Sequence, residues 1–261
     1  MIAVTTAHKT NYEIIQKAER IGKNLGLPFL PREDYSIDQL ISRHNLGGLL
    51  VFKKDSIVYK YPGGEFFFHP GMAKLRINEI LNGKTDQMIK ALDLRPGDSV
   101  LDCTLGLGSD AIVISYVNGG GEVIGLEYSP VISLIVKEGL AHYREDVSEE
   151  LIQAMKRITV ICSDYNSYLK NNPDNSVDIV YFDPMFRTAG NKIYAIDAIR
   201  PIANSSPLSA DSLKEAQRVA RRRVVVKESK NSSEFWRLGI EKISGGKHSP
   251  VSYGIIEKGG G

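Results

Sequence analysis

Cysteine is scarce in this 261-residue chain, with only Cys103 and Cys162, too few for a disulfide framework or a Cys-rich zinc site. Each lies in an apolar run that reads as a buried strand end, so both are expected as reduced core thiols. No charge sign dominates. Thirty-three Lys plus Arg stand against thirty-one Asp plus Glu, a formal net charge of +2, which excludes the gross electrostatic footprint of a dedicated nucleic-acid binder and leaves room for a local patch. No stretch approaches the roughly 18 apolar residues of a membrane helix. The start, with His8, Lys9 and Glu13 ahead of any useful apolar run, lacks the order of a signal peptide. A cytoplasmic protein with no membrane partner and no metal is expected. Repeats and low-complexity tracts are missing too, apart from the terminal Gly259, Gly260 and Gly261. What remains is ordinary: 42% hydrophobic and 25% charged residues exclude a collagenous or disordered chain. The length allows one large domain with a small appendage.

The pattern changes character near residue 78. Before it, residues 2–6 are β-like and Tyr12, Ile15, Ala18 and Leu25 sit at mostly helical spacing. Residues 49–52 and 57–61 flank a polar turn and read as a β-hairpin. Residues 1–77 are therefore expected to form a small N-terminal α/β subdomain. From 78 to 261, strand-like runs at 99–103, 123–127, 158–162, 177–182 and 224–226 alternate with helical segments, including 130–143 and 211–222. That alternation predicts a parallel sheet covered by helices on both faces. Two tail strands, 239–243 and 251–257, are expected as an antiparallel pair at its edge.

Ligands of an open α/β sheet collect at the carboxyl ends of its strands, and those ends here are acidic. The first ends in Asp102, followed by Thr104, Gly106, Gly108 and Asp110 and then a helical run. Glycines let this loop turn tightly while the helix N-terminus offers free N–H groups. The second ends in Glu127, placed to accept two ribose hydroxyls by charge-assisted hydrogen bonds. The third ends in Asp164, a candidate acceptor for an adenine amine. The fourth ends Asp183-Pro184-Met185-Phe186, where a reacting group would sit. Gly106-x-Gly108-x-x-Ala111, with Glu127 about 20 residues on, formally fits a dinucleotide fingerprint. An acid at the end of the first strand would crowd a pyrophosphate, whereas it suits a cationic ligand such as S-adenosylmethionine.

The strings DCTLGLGSDA (102–111), GLEYSPVISLIVKEGL (125–140), VYFDPMF (180–186) and RRVVVK (222–227) resemble class I S-adenosylmethionine-dependent methyltransferases. More narrowly they resemble the ribosomal small-subunit methyltransferase J family, which methylates a guanine N2 of 16S rRNA. The likeness covers most of residues 47–254. It implies a Rossmann-like seven-stranded sheet, mostly parallel with an antiparallel last strand. It also implies cofactor contacts at Asp102, Thr104, Gly106, Gly108, Asp110, Glu127, Tyr128 and Asp164.

In that setting Asp183 and a backbone carbonyl at Pro184 would accept hydrogen bonds from the exocyclic amine, and Phe186 would stack on the base. Arg187, Lys192, Arg200 and Lys227 are expected to meet RNA, in 16S rRNA or the small ribosomal subunit. Arg221, Arg222 and Arg223 read equally as part of that basic surface or as a basic helix end. His69 and His248 read as core or turn residues. Two alternatives stand beside this expectation. One is methyl transfer to another planar amine in RNA, DNA or protein. The other is a nucleotide-binding module without catalysis, or a nicotinamide dehydrogenase.

Overall fold

Residues 1–184, 207–247 and 249–258 are described by a computed structural model. They divide between two units. The first, Met1–His69 with Leu134–Tyr143, opens with β1 (Ile2–Thr6) and α1 (Tyr12–Leu25). Asn11 caps α1, its side chain accepting from the Ile14 amide at 3.0 Å, and Gly26 ends it in the left-handed region at φ 66°, where glycine carries no Cβ penalty. α2 (Ile37–Arg43) starts in a capping box of Ser36 and Gln39. β2 (Gly48–Phe52), β3 (Ile57–Tyr61) and β4 (Gly64–Phe67) complete a sheet in the order β1-β2-β3-β4. β1 runs parallel to β2, and β2 and β3 form the expected hairpin. Ala3, Leu40, Ile41, Leu46, Leu49 and Val51 make its core. The rings of Phe68 and His69 pack edge-on against Tyr143, centroids 5.9 and 5.7 Å apart.

The second unit holds α3 (Gly71–Leu81), α4 (Gln87–Leu92), β5 (Val100–Asp102), α5 (Ser109–Asn118), β6 (Val123–Glu127) and the first residues of α6 (Pro130–His142). α7 (Glu149–Lys156), β7 (Ile158–Cys162), α8 (Tyr165–Asn171) and β8 (Val177–Phe182) follow. After the segment outside the described residues come α9 (Ala210–Val219), β9 (Ala220–Ser229), α10 (Glu234–Arg237), β10 (Lys242–Ser244) and β11 (Val251–Glu257). The seven strands lie in the order β10-β11-β9-β8-β5-β6-β7. β5 through β9 pair parallel, and β11 enters antiparallel against β9. Strands buried on both faces are near-continuous apolar runs, which is why β8 (VDIVYF) is apolar and buried at every position but Asp178 near its start. Leu101, Leu126, Val180, Phe182, Val224 and Val226 meet in the core. From β5 the chain steps outward through β6 to β7, then resumes on the other flank at β8. The order therefore reverses between β5 and β8, and a crevice opens at the carboxyl ends there.

Two expectations are corrected. The helix placed over 211–222 ends at Val219, and Arg221–Arg223 lie on β9. The β-branched Val224–Val226 run pairs with β8 and β11 and draws the strand back to Ala220. Each arginine there finds a carboxylate: Arg221 on Asp178 at 3.2 Å, Arg222 on Asp98, Arg223 on Glu257 at 2.7 Å. They sit at the start of β9, at the end of the sheet opposite the carboxyl-end crevice. The second correction concerns Cys162, which is exposed whereas Cys103 is buried. β7 is the sheet edge, so its last residue has no outer neighbour to cover it.

Candidate active site

The carboxyl end of β5 is built by its own side chain. Asp102, almost fully buried, accepts from the Thr104 amide at 3.0 Å, and the Thr104 hydroxyl accepts from the Asp183 amide at 2.6 Å. Thr104 thus ties the end of β5 to the end of β8. Leu105 anchors the loop between strands, its amide donating to the Leu126 carbonyl at 2.9 Å. The chain then turns through Gly106 (φ 51°) and Gly108 (φ 76°) into α5. At the end of β6 both carboxylate oxygens of Glu127 are held by backbone, one by the Gly106 amide at 3.1 Å and the other by the Ser129 amide at 2.8 Å. Glu127 is 7% exposed. Burial lifts its carboxyl above the ordinary range, and the two amides oppose that shift. Asp164 caps α8, accepting from the Ser167 amide at 3.1 Å. Tyr128, beside Glu127, is more than half exposed.

A chain of charges runs beneath this rim. Lys227 donates to Asp183 Oδ2 at 2.7 Å and to Asp110 Oδ2 at 3.0 Å. Asp110 Oδ2 also accepts the Tyr181 hydroxyl at 2.7 Å, and Asp110 Oδ1 pairs with Arg76. Arg76 forks onto Asp86, the cap of α4, with bonds of 2.8 and 3.0 Å. The shared cations sort the acids. Burial works to raise Asp110, yet Lys227 and Arg76 outweigh it and hold its carboxyl at about 2. Burial lifts Asp183 to about 6, with Lys227 pulling down and the Asp110 charge pushing up. Asp102, with no cation bonded to it among the described residues, is raised to about 8 by burial and by its acidic neighbours. Lys227 is held well above its usual range because the pull of Asp110 and Asp183 exceeds the cost of burying it.

Asp102, Thr104, Gly106, Gly108, Asp110, Glu127, Asp183 and Lys227 are brought together at one end of the sheet by these bonds. Lys227 places its ammonium on two carboxylates. Phe186, Arg187, Lys192 and Arg200, and also His248, lie outside the described residues. Sequence reasoning missed Arg76, Asp86 and Tyr181. Only Tyr181 carried a signal, since a hydroxyl inside an apolar strand needs a buried partner. Among the described residues no group of three or more His, Cys, Asp or Glu is placed to hold a metal ion. No helix among them is long and apolar enough to cross a membrane.

A family model described as "Putative SAM-dependent methyltransferase" matches residues 66–241. The chain belongs to this methyltransferase family. A relative matched over nearly its whole length is YpiP of Bacillus subtilis (strain 168), described as uncharacterized, 38% identical over 255 residues, 97% of this chain and 98% of that protein. Ribosomal RNA small subunit methyltransferase J of Buchnera aphidicola subsp. Schizaphis graminum is 33% identical over 149 residues. That match spans 55% of this chain and 58% of the Buchnera protein. The protein of the same name from Pseudoalteromonas atlantica is 29% identical over 200 residues, 70% of each chain. The crystal structure of a SAM-dependent methyltransferase from Neisseria gonorrhoeae superposes with a TM-score of 0.65 at 18% identity, covering 99% of this chain and 97% of that one. That likeness shows the fold.

S-adenosylmethionine is the cofactor of this methyltransferase family, and the donor set fits it. The carboxylates of Glu127, Asp164, Asp110 and Asp183 at this end of the sheet outnumber the two cations Arg76 and Lys227, with Asp102 beside them kept protonated by burial. A sulfonium and an ammonium suit such a surplus of negative charge, whereas a pyrophosphate does not. A carboxylate has about four lone-pair sites, so Glu127, with two filled by backbone amides, keeps two for a vicinal diol.

Proposed function

We propose that this methyltransferase acts on a guanine exocyclic N2 of 16S rRNA. The observation that carries the reading is Asp183 at the carboxyl end of β8 beside the switch point, its carboxylate held by Lys227 and its backbone amide by the Thr104 hydroxyl. The relatives named ribosomal RNA small subunit methyltransferase J support the choice of RNA. In its bound form the cofactor supplies a methyl group on a sulfonium. Glu127 takes the ribose hydroxyls on its two remaining lone pairs, and Asp164 accepts from the adenine amine. Asp102, Thr104, Gly106, Gly108 and Tyr128 line the rest, while Asp110 acts through Lys227.

A guanine amine is a weak nucleophile because its lone pair is delocalised into the ring. Asp183 accepts a hydrogen bond from one N–H and the Pro184 carbonyl from the other. Together they favour a tetrahedral nitrogen and stabilise the positive charge that would develop there as the N–CH3 bond forms and the S–CH3 bond breaks, the surplus N2 proton then being lost to water. Pro184 fixes φ and so limits where that carbonyl points. Phe186 as a stacking face, and Arg187, Lys192 and Arg200 as phosphate contacts, are assigned on the sequence alone. A base paired in a helix must first be exposed or flipped.

The test is methylation of small ribosomal subunits from cells lacking the gene, followed by nucleoside analysis. N2-methylguanosine is expected with wild type, while Asp183→Ala keeps S-adenosylhomocysteine binding and loses most turnover. Wild-type turnover in Asp183→Ala rejects the amine mechanism. A methylated product other than N2-methylguanosine moves the activity to another planar amine.

A further inference from the structure

We propose that Lys227 is a positioning residue, its ammonium aiming the Asp183 carboxylate at the acceptor amine while Asp110 fixes it from the other side. The proposal rests on the assignment of Asp183 made above and gives Lys227 a different task from the RNA contact expected for it.

Strand register sets the geometry. Val226 on β9 pairs with Phe182 on β8, so Lys227 and Asp183 leave their strands at the same level. On the other side Lys227 pairs with Tyr253 of β11. The Lys227 side chain is 17% exposed and that of Asp110 12%. A buried ammonium is tolerated only with partners, and two of its three donors are spent on Asp183 at 2.7 Å and Asp110 at 3.0 Å. If Lys227 reached out to a phosphate, Asp110 and Asp183 would be left facing each other without the cation between them.

The far side of the ammonium is rigid. Asp110 is bonded by Tyr181 at 2.7 Å and by Arg76, and Arg76 is clamped in two bonds on Asp86. Three elements, α3, α4 and α5, thereby converge on one lysine. Asp183 is held at its backbone by Thr104 and at Oδ2 by Lys227. With Oδ2 taken by Lys227, Oδ1 is the oxygen assigned here to the amine. The charged and titratable groups around Asp183 are Lys227 from β9, Asp110 from α5, Asp102 from β5 and Tyr181 from β8.

The experiment follows the Asp183 carboxyl by 13C NMR in cofactor-free protein labelled at aspartate, with Asp183→Asn as the assignment control and circular dichroism to verify folding. Removing a contacting cation in Lys227→Met is expected to raise the Asp183 midpoint by about 1 to 3 units. Lys227→Arg restores most of the shift. Asp110→Asn removes a like charge and moves the midpoint down, so the reasoning is tested even if Lys227→Met fails to fold. Where RNA turnover is measurable, Lys227→Met lowers kcat with little change in KM for RNA and displaces the acid limb upward. An Asp183 midpoint that stays put in the folded variants overturns the proposal. If wild type fails to methylate guanine N2, the functional reading falls, while the NMR series still decides whether Lys227 governs Asp183.

Discussion

Glu127→Gln changes one atom in the site and exposes how the carboxylate works. In the native protein the Gly106 and Ser129 amides each donate to one carboxylate oxygen, at 3.1 and 2.8 Å. A glutamine amide can satisfy only one of them, because its NH2 group is itself a donor. The other N–H loses its partner at a buried position, a penalty of about 1 to 3 kcal/mol, and the ribose diol loses one of its two acceptors. A hydrogen bond to a charged group contributes about 1.5 to 3 kcal/mol, which corresponds to a roughly 10- to 150-fold weaker Kd. Calorimetry with S-adenosylhomocysteine measures this directly, since the ligand is stable and lacks the reactive methyl. Thermal melting of the ligand-free variant reports the unpaired amide separately. Affinity within twofold of wild type, in a variant whose melting temperature has dropped, would show that Glu127 braces the loop and does not hold the ribose.

Two further outcomes follow from the loop and from the acids. Gly108 caps α5 at φ 76°, so Gly108→Ala is expected to lose about 1 to 2 kcal/mol of stability and to weaken S-adenosylhomocysteine binding; urea unfolding that matches wild type would contradict the reading of this turn. Asp102 and Asp183 hold their protons to about pH 8 and about pH 6 in the folded cofactor-free protein, against roughly 4 when unfolded. The stability these two supply is fully present below about pH 4 and is lost as pH rises through their folded values. Asp110, held at about 2, has the opposite sign, its contribution present above about pH 4 and lost as pH falls towards 2. Asp102→Asn cannot ionise, so its melting temperature should gain on wild type as pH goes from 5 to 8.5. A gap that stays constant across that range would show that Asp102 is not held protonated.

Much of the sheet was legible because parallel strands buried on both faces are short apolar runs, and β6, β7 and β8 lie where those runs predicted. The placement of Glu127 and Asp183 at the carboxyl end of the sheet could be read because each terminates or directly follows such a run, and the fold puts strand ends together regardless of their separation along the chain. The ion chain could not be read this way. Arg76 meets Asp110 across 34 residues and Lys227 meets it across 117, and nothing local in α3 tells its arginine which carboxylate it will find. Arg221–Arg223 misled for a related reason. Charges after a helical pattern look like a helix end, whereas here each is balanced by a distant acid, and the valines after them decide in favour of a strand. Cys162 shows the same limit, because whether a strand is central or at the edge is a property of sheet order, not of the run itself.

The proposed activity is methyl transfer to a guanine amine of 16S rRNA with Asp183 as the group that engages it. Mass mapping of 16S rRNA from the source organism, with and without the gene, tests that most directly. One N2-methylguanosine is expected to disappear on deletion, to return with the wild-type gene and to stay absent with Asp183→Asn. A 16S map that is unchanged by deletion would contradict it.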